Sequence, residues 1–186
     1  MLTVYAWSLI VLHFNQTMYS QTGMFESDLY AHIEMALDGW GYSILAVIFR
    51  LLALIPNETI FHMGIAVFLG ACEIATLAIT FIWSKKLELK NWEAVILTGL
   101  SGFVMPAFIR AIQPYRYIGY QSPSIWHNST YIVMKLLALM CIILYIQISR
   151  KYKEEMKASD IIVFAVLLAL TTAVKTNFVI AFAPVA

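Results

Sequence analysis

"WGYSILAVIFRLLALI", residues 40–55, decides how often this chain crosses a membrane. The run is apolar except for Ser43 and Arg50, and its reading depends on what flanks it. The whole sequence is 61% hydrophobic and 12% charged with a mean hydropathy of +0.78, the balance of an integral membrane protein. Further apolar runs at 1–14, 60–83, 92–111, 131–149 and 161–177 are candidate transmembrane spans. Two connections between them are strongly basic. "SKKLELKN" carries Lys85, Lys86 and Lys90, and "SRKYKEEMKASD" carries Arg150, Lys151, Lys153 and Lys157. The positive-inside rule makes both cytoplasmic, which places the loop at 112–130 and "PNET" (56–59) outside. The stretch before residue 40 has no basic residue and belongs outside as well. Residues 41–55 therefore start and finish on one side, and they are predicted to form an interfacial or re-entrant helix with Arg50 snorkelling to the headgroups. A true short span with one basic loop on the wrong side is the alternative.

Outward from that run lies "TGMFESDLYAHIEMALDGWG" (22–41), which gathers Glu26, Asp28, Glu34 and Asp38. It predicts an amphipathic surface helix over 27–38, N-capped by Ser27, with Asp28 in its first turn. Leu29, Ile33, Ala36 and Leu37 share its apolar face, while Glu34 and Asp38 lie opposite. Asp28 and His32, spaced i,i+4, project together beside the apolar stripe, at the headgroup plane. The fold class is thus all-α: a polytopic membrane protein with two surface helices in its first external loop. The opening run has no basic segment before it, and the sequence stops inside "FVIAFAPVA". The chain is accordingly read as one transmembrane domain of a larger polytopic protein.

A net charge of +1 gives no electrostatic case for nucleic acid, and there is no phosphate-binding Gly-rich loop or zinc-type Cys/His spacing. Cys72 and Cys141 sit in apolar runs, where thiols act as small hydrophobes, and no disulfide is expected. Of the twelve Lys and Arg, seven lie in the two cytoplasmic loops. The other five, Arg50, Arg110, Arg116, Lys135 and Lys175, map to the external face or the outer half of a span. A phosphate or pyrophosphate headgroup at the outer leaflet is a reason for such placement, against snorkelling at span ends. His127 in "WHNS" can polarise a phosphate or hold its loop. Glu73 is costly in hydrocarbon and is read as a neutral carboxyl facing a polar partner. Lys175-Thr176-Asn177 marks a span end or a broken helix. Trp40, Trp83 and Trp92 suit interfacial anchors, and three Asn-X-Thr triplets at Asn15, Asn57 and Asn128 fall on expected external loops.

One span, a long external loop with two surface helices, an acidic residue opening the first, then further spans: this order resembles the GT-C superfamily of membrane glycosyltransferases. "FESDLYAH" (25–32), the paired surface segments and "PSIWHNSTYI" (123–132) carry the resemblance over residues 1 to about 150. It implies transfer of a sugar from a polyprenyl-phosphate carrier in the bilayer to an acceptor at the external face of the plasma membrane. Asp28 matches the superfamily's acidic position and would be the catalytic base, with His32 orienting it. Arg110, Arg116, His127 and Lys135 would bind the donor phosphate. The doubled acid of many members is split here by Ser27, and the second external loop lacks an acidic residue, so a divalent metal cofactor is left open. A transporter or flippase of a lipid-linked or anionic substrate, and a non-catalytic polytopic subunit, are the competing readings.

Overall fold

The computed structural model describes residues 2–18, 27–40, 43–103, 126, 128–151 and 157–184. Every regular element among them is a helix: α1 (Leu2–Met18), α2 (Leu29–Leu37), α3 (Ile44–Leu52), α4 (Glu58–Lys86), α5 (Asn91–Phe103), α6 (Ser129–Arg150), α7 (Ala158–Val174) and α8 (Asn177–Phe182). Two of them, α4 and α6, are long and apolar enough to cross a membrane. At about 1.5 Å per residue they measure about 43 and 33 Å, against a hydrocarbon core of about 30 Å. The ends of both are set by local chemistry. Asn57 and Asn128 cap the N-termini, their side-chain oxygens accepting from the backbone N–H groups of Ile60 and Tyr131. Lys85 and Lys86 close α4 and Arg150 closes α6, where the helix dipole favours cations.

The packing follows from the small residues. Leu9 and Ile10 of α1 lie over Gly70, while Tyr5 shares a cavity with Thr76 and Leu77, so α1 and α4 run antiparallel. A Cβ on Gly70 would sit 3.4 Å from Ile10 Cγ1 and 3.7 Å from Leu9 Cβ, leaving no room for a larger side chain. Gly70→Leu is therefore expected to lower the melting temperature by forcing the two helices apart, an overpacking cost of about 1–3 kcal/mol. Gly99→Leu, where a Cβ meets nothing within 4 Å, should leave it nearly unchanged. Thermal unfolding in detergent checks both.

The segment 27–55 folds as a helical hairpin. Gly39, with φ +85°, ends α2 in a Schellman motif: its N–H reaches the Ala36 carbonyl at 3.3 Å, and that of Trp40 reaches Met35 at 2.9 Å. Leu29, Ile33 and Ala36 of α2 and Leu45, Ala46 and Phe49 of α3 are buried against Phe61, Ile65 and Leu69 of α4 and Ile132, Val133 and Met134 of α6. Ser43 caps α3 and donates to the Val174 carbonyl at 3.1 Å, which ties the hairpin to the end of α7.

Several details differ from the sequence reading. Asp28, not Ser27, is the N-cap residue of α2; the Ser27 hydroxyl still accepts from the Leu29 N–H at 3.1 Å. Leu37 lies outside the buried face and is 52% exposed, because at about 100° per residue it sits at the edge of the stripe formed by Leu29, Ile33 and Ala36. The Arg50 side chain donates to the Ala36 carbonyl at 2.7 Å, so it satisfies a helix C-terminus as well as being exposed. The helix at the expected first span runs four residues beyond Phe14, to Met18, which puts the triplet at Asn15 inside α1, where Thr17 is buried. The break at Lys175 and Thr176 separates α7 from α8.

Candidate functional site

Two polar clusters stand out among the described residues. The first is at the start of α2. The i,i+4 spacing brings His32 Nε2 to 3.3 Å from Asp28 Oδ2, with the histidine side chain 16% and the aspartate 25% exposed. The other carboxylate oxygen, Oδ1, is buried and has no hydrogen-bond partner among the described residues. Such an oxygen is costly unless a donor is brought to it. His32 also lines a small cavity with Ser43, Phe49 and Thr130, so the pair faces the first turn of α6. The Ser129 hydroxyl in that turn is likewise buried without a partner. Glu34 and Asp38 are exposed on the opposite side, as the helical period requires.

The second cluster joins α1, α4 and α6. Glu73 Oε1 lies 3.1 Å from His13 Nε2, His13 Nδ1 lies 2.8 Å from Gln16 Oε1, and Gln16 Nε2 donates to the Trp126 carbonyl at 3.2 Å. The polar partner read for Glu73 is therefore a histidine. Sequence reasoning passed over His13 and Gln16, yet a histidine inside an apolar run and a glutamate inside another are a signal, since ionisable groups at that depth need each other. Lys135 donates to the Ser101 carbonyl and forms no ion pair within 4 Å among the described residues. It lines a cavity of about 310 Å³ between α4, α5, α6 and α8, whose polar wall is Thr76, Thr80, Ser101 and Tyr131. Met134, Ala138, Leu139, Ile142 and Phe178 form its apolar wall.

The expected site residues thus divide. Asp28 and His32 are together. Lys135 is inside the helix bundle on a separate cavity, beside Glu73 rather than beside the Asp28–His32 pair. Arg110, Arg116 and His127 lie outside the described residues. Among those described, no three His, Cys, Asp or Glu side chains converge to hold a metal ion. Asp28 and His32 by themselves supply too few ligands to hold a metal ion.

No protein-family model matches the chain, and neither a curated protein nor a solved structure is significantly similar to it.

Proposed function

We propose that this chain carries the external-face site of a polytopic membrane glycosyltransferase of the GT-C kind, with Asp28 as general base and a polyprenyl-phosphate sugar as donor. The observation that carries the reading is the largely buried Asp28–His32 pair, whose Oδ1 has no hydrogen-bond partner among the described residues. His32 takes Oδ2 and orients the carboxylate; Oδ1 accepts the proton of the acceptor hydroxyl. The acceptor oxygen then attacks the anomeric carbon, and the bond to phosphate breaks with its electron pair on the phosphate. Arg110, Arg116 and His127 stabilise that leaving group, as the resemblance implies, while Lys135, on its own cavity away from the Asp28–His32 pair, holds the donor as it enters. Positioning and proton transfer supply the rate.

The two helices long enough to cross a membrane fit a multi-pass arrangement, and the plasma membrane is what the resemblance implies. Nine residues of α3 reach only about 14 Å, too short to cross, while Val47, Leu51 and Leu54 point outward as an interfacial face would. The basic ends of α4 and α6 fit the cytoplasmic side. The test is sidedness. A cysteine at Ser27 or Asn57 should react with an impermeant thiol reagent from outside, and one at Lys86 or Lys157 should not. Labelling of position 27 or 57 from the cytoplasmic side alone removes the external site.

A flippase or transporter is the second reading, favoured by the His13–Glu73 pair and by Lys135 on a roomy cavity within the bundle. In proteoliposomes it expects a fluorescent lipid phosphate to cross the bilayer at a rate unaffected by Asp28→Asn and lowered by Lys135→Gln.

A further inference from the structure

The cluster around His13 fixes its own proton count. Gln16 Nε2 donates to the Trp126 carbonyl, an acceptor only, so Gln16 must turn its amide oxygen toward His13 Nδ1. An amide oxygen accepts and never donates, so Nδ1 carries a hydrogen. On the far side of the ring, Nε2 is 3.1 Å from Glu73 Oε1. A bare ring nitrogen and a carboxylate oxygen are both acceptors, and at that distance in a buried site they repel. The contact is attractive only with a hydrogen between them.

We propose that His13 and Glu73 form a proton-binding site inside the helix bundle, holding one shared proton more than a neutral histidine and an ionised glutamate held apart. The proton resides either on Nε2, as imidazolium against carboxylate, or on Oε1, as carboxylic acid against imidazole. Both forms make the pair electrically neutral, which suits its place: the His13 ring is fully buried and Glu73 is 13% exposed. Among the described residues, the groups that face the pair come from four helices, with the Cys72 thiol beside Glu73 on α4. From α1 there is Tyr5, from α6 Lys135 and Tyr131, from α4 Thr76, and α5 contributes Gly102 and no charge. With the pair neutral, Lys135 is the one cation among the described residues that line this cavity.

A cavity of about 30 Å³ adjoins Glu73 and is lined by Tyr5, Thr76, Tyr131 and Lys135, room for a single water. The second Glu73 oxygen, Oε2, is buried and partnerless among the described residues. This small cavity shares Thr76, Tyr131 and Lys135 with the 310 Å³ chamber, so the pair lies next to that chamber. The proton also fastens the bundle, because the chain Glu73, His13, Gln16, Trp126 ties α4 to α1 and to the backbone ahead of α6. The site goes beyond glycosyl transfer and does not rest on it.

Nuclear magnetic resonance of isotope-labelled histidine in the intact protein in nanodiscs tests it, with the His13 signals assigned by their loss in His13→Gln. The expected spectrum at neutral pH has a protonated Nδ1, with Nε2 either protonated as well or shifted as a hydrogen-bond acceptor. Glu73→Gln mimics the carboxylic acid, so it should lock His13 as the neutral Nδ1–H form and keep the parental melting temperature; Glu73→Leu should lower it. An unprotonated Nδ1, or an Nε2 with neither hydrogen nor hydrogen bond, overturns the proposal. Replacing His32, His62 and His127 in turn assigns the His13 signals by elimination, so the parental spectrum decides this even if His13→Gln or a Glu73 variant does not fold.

Discussion

Asp28→Asn is expected to lower the turnover number for sugar transfer by at least a hundredfold while leaving expression and melting temperature unchanged. A positioned general base contributes about 10² to 10⁴ in rate, and the amide keeps the shape but gives up the proton acceptor. The contrast with its neighbours makes the result specific. Glu34 and Asp38 are exposed on the outer side of α2, so Glu34→Gln and Asp38→Asn should stay within a few-fold of the parent. His32→Gln, which removes the ring held 3.3 Å from Oδ2, should fall between these limits. Steady-state kinetics on the purified protein measures all four. Equal losses in all of them would mean that the segment acts through its summed charge or its fold.

Lys135→Gln should raise the Michaelis constant for the polyprenyl donor roughly ten-fold or more, with the acceptor's constant little changed. One charge-assisted contact to phosphate is worth on the order of 1.5–3 kcal/mol, and each 1.4 kcal/mol is a factor of about ten. Lys135 has a single backbone acceptor, the Ser101 carbonyl, and forms no ion pair within 4 Å among the described residues, so its charge is available to an anion entering the chamber. Lys135→Arg should recover part of the loss. A donor constant that stays at the parental value in Lys135→Gln would place the phosphate elsewhere.

Local periodicity made much of this architecture readable before any coordinates. The pairing of Asp28 with His32 follows from i,i+4 spacing, and the outward placement of Glu34 and Asp38 follows from the same period. The burial of Leu29, Ile33 and Ala36 was legible too, whereas Leu37 was not, because it sits at the edge of that stripe, where the width of the packed neighbour decides burial. Long-range partners leave no periodic trace. His13 and Glu73 are 60 positions apart, and only the antiparallel packing of α1 on α4 brings their side chains together. Arg50 is similar: an exposed arginine in an apolar helix suits headgroups, and only the fold of the hairpin reveals the Ala36 carbonyl within its reach. The asparagines at 57 and 128 read as glycosylation acceptors from their triplets and act in the structure as helix caps.

The central claim is the class of donor, and the most direct measurement is transfer by the parental protein in proteoliposomes supplied in turn with polyprenyl-phosphate hexoses and with the matching nucleotide sugars. The account predicts labelled sugar leaving at least one lipid-linked donor for an acceptor, none leaving the nucleotide sugars, and no transfer by Asp28→Asn. Lipid-linked donors that cross the bilayer intact, with no sugar released or transferred, would contradict it.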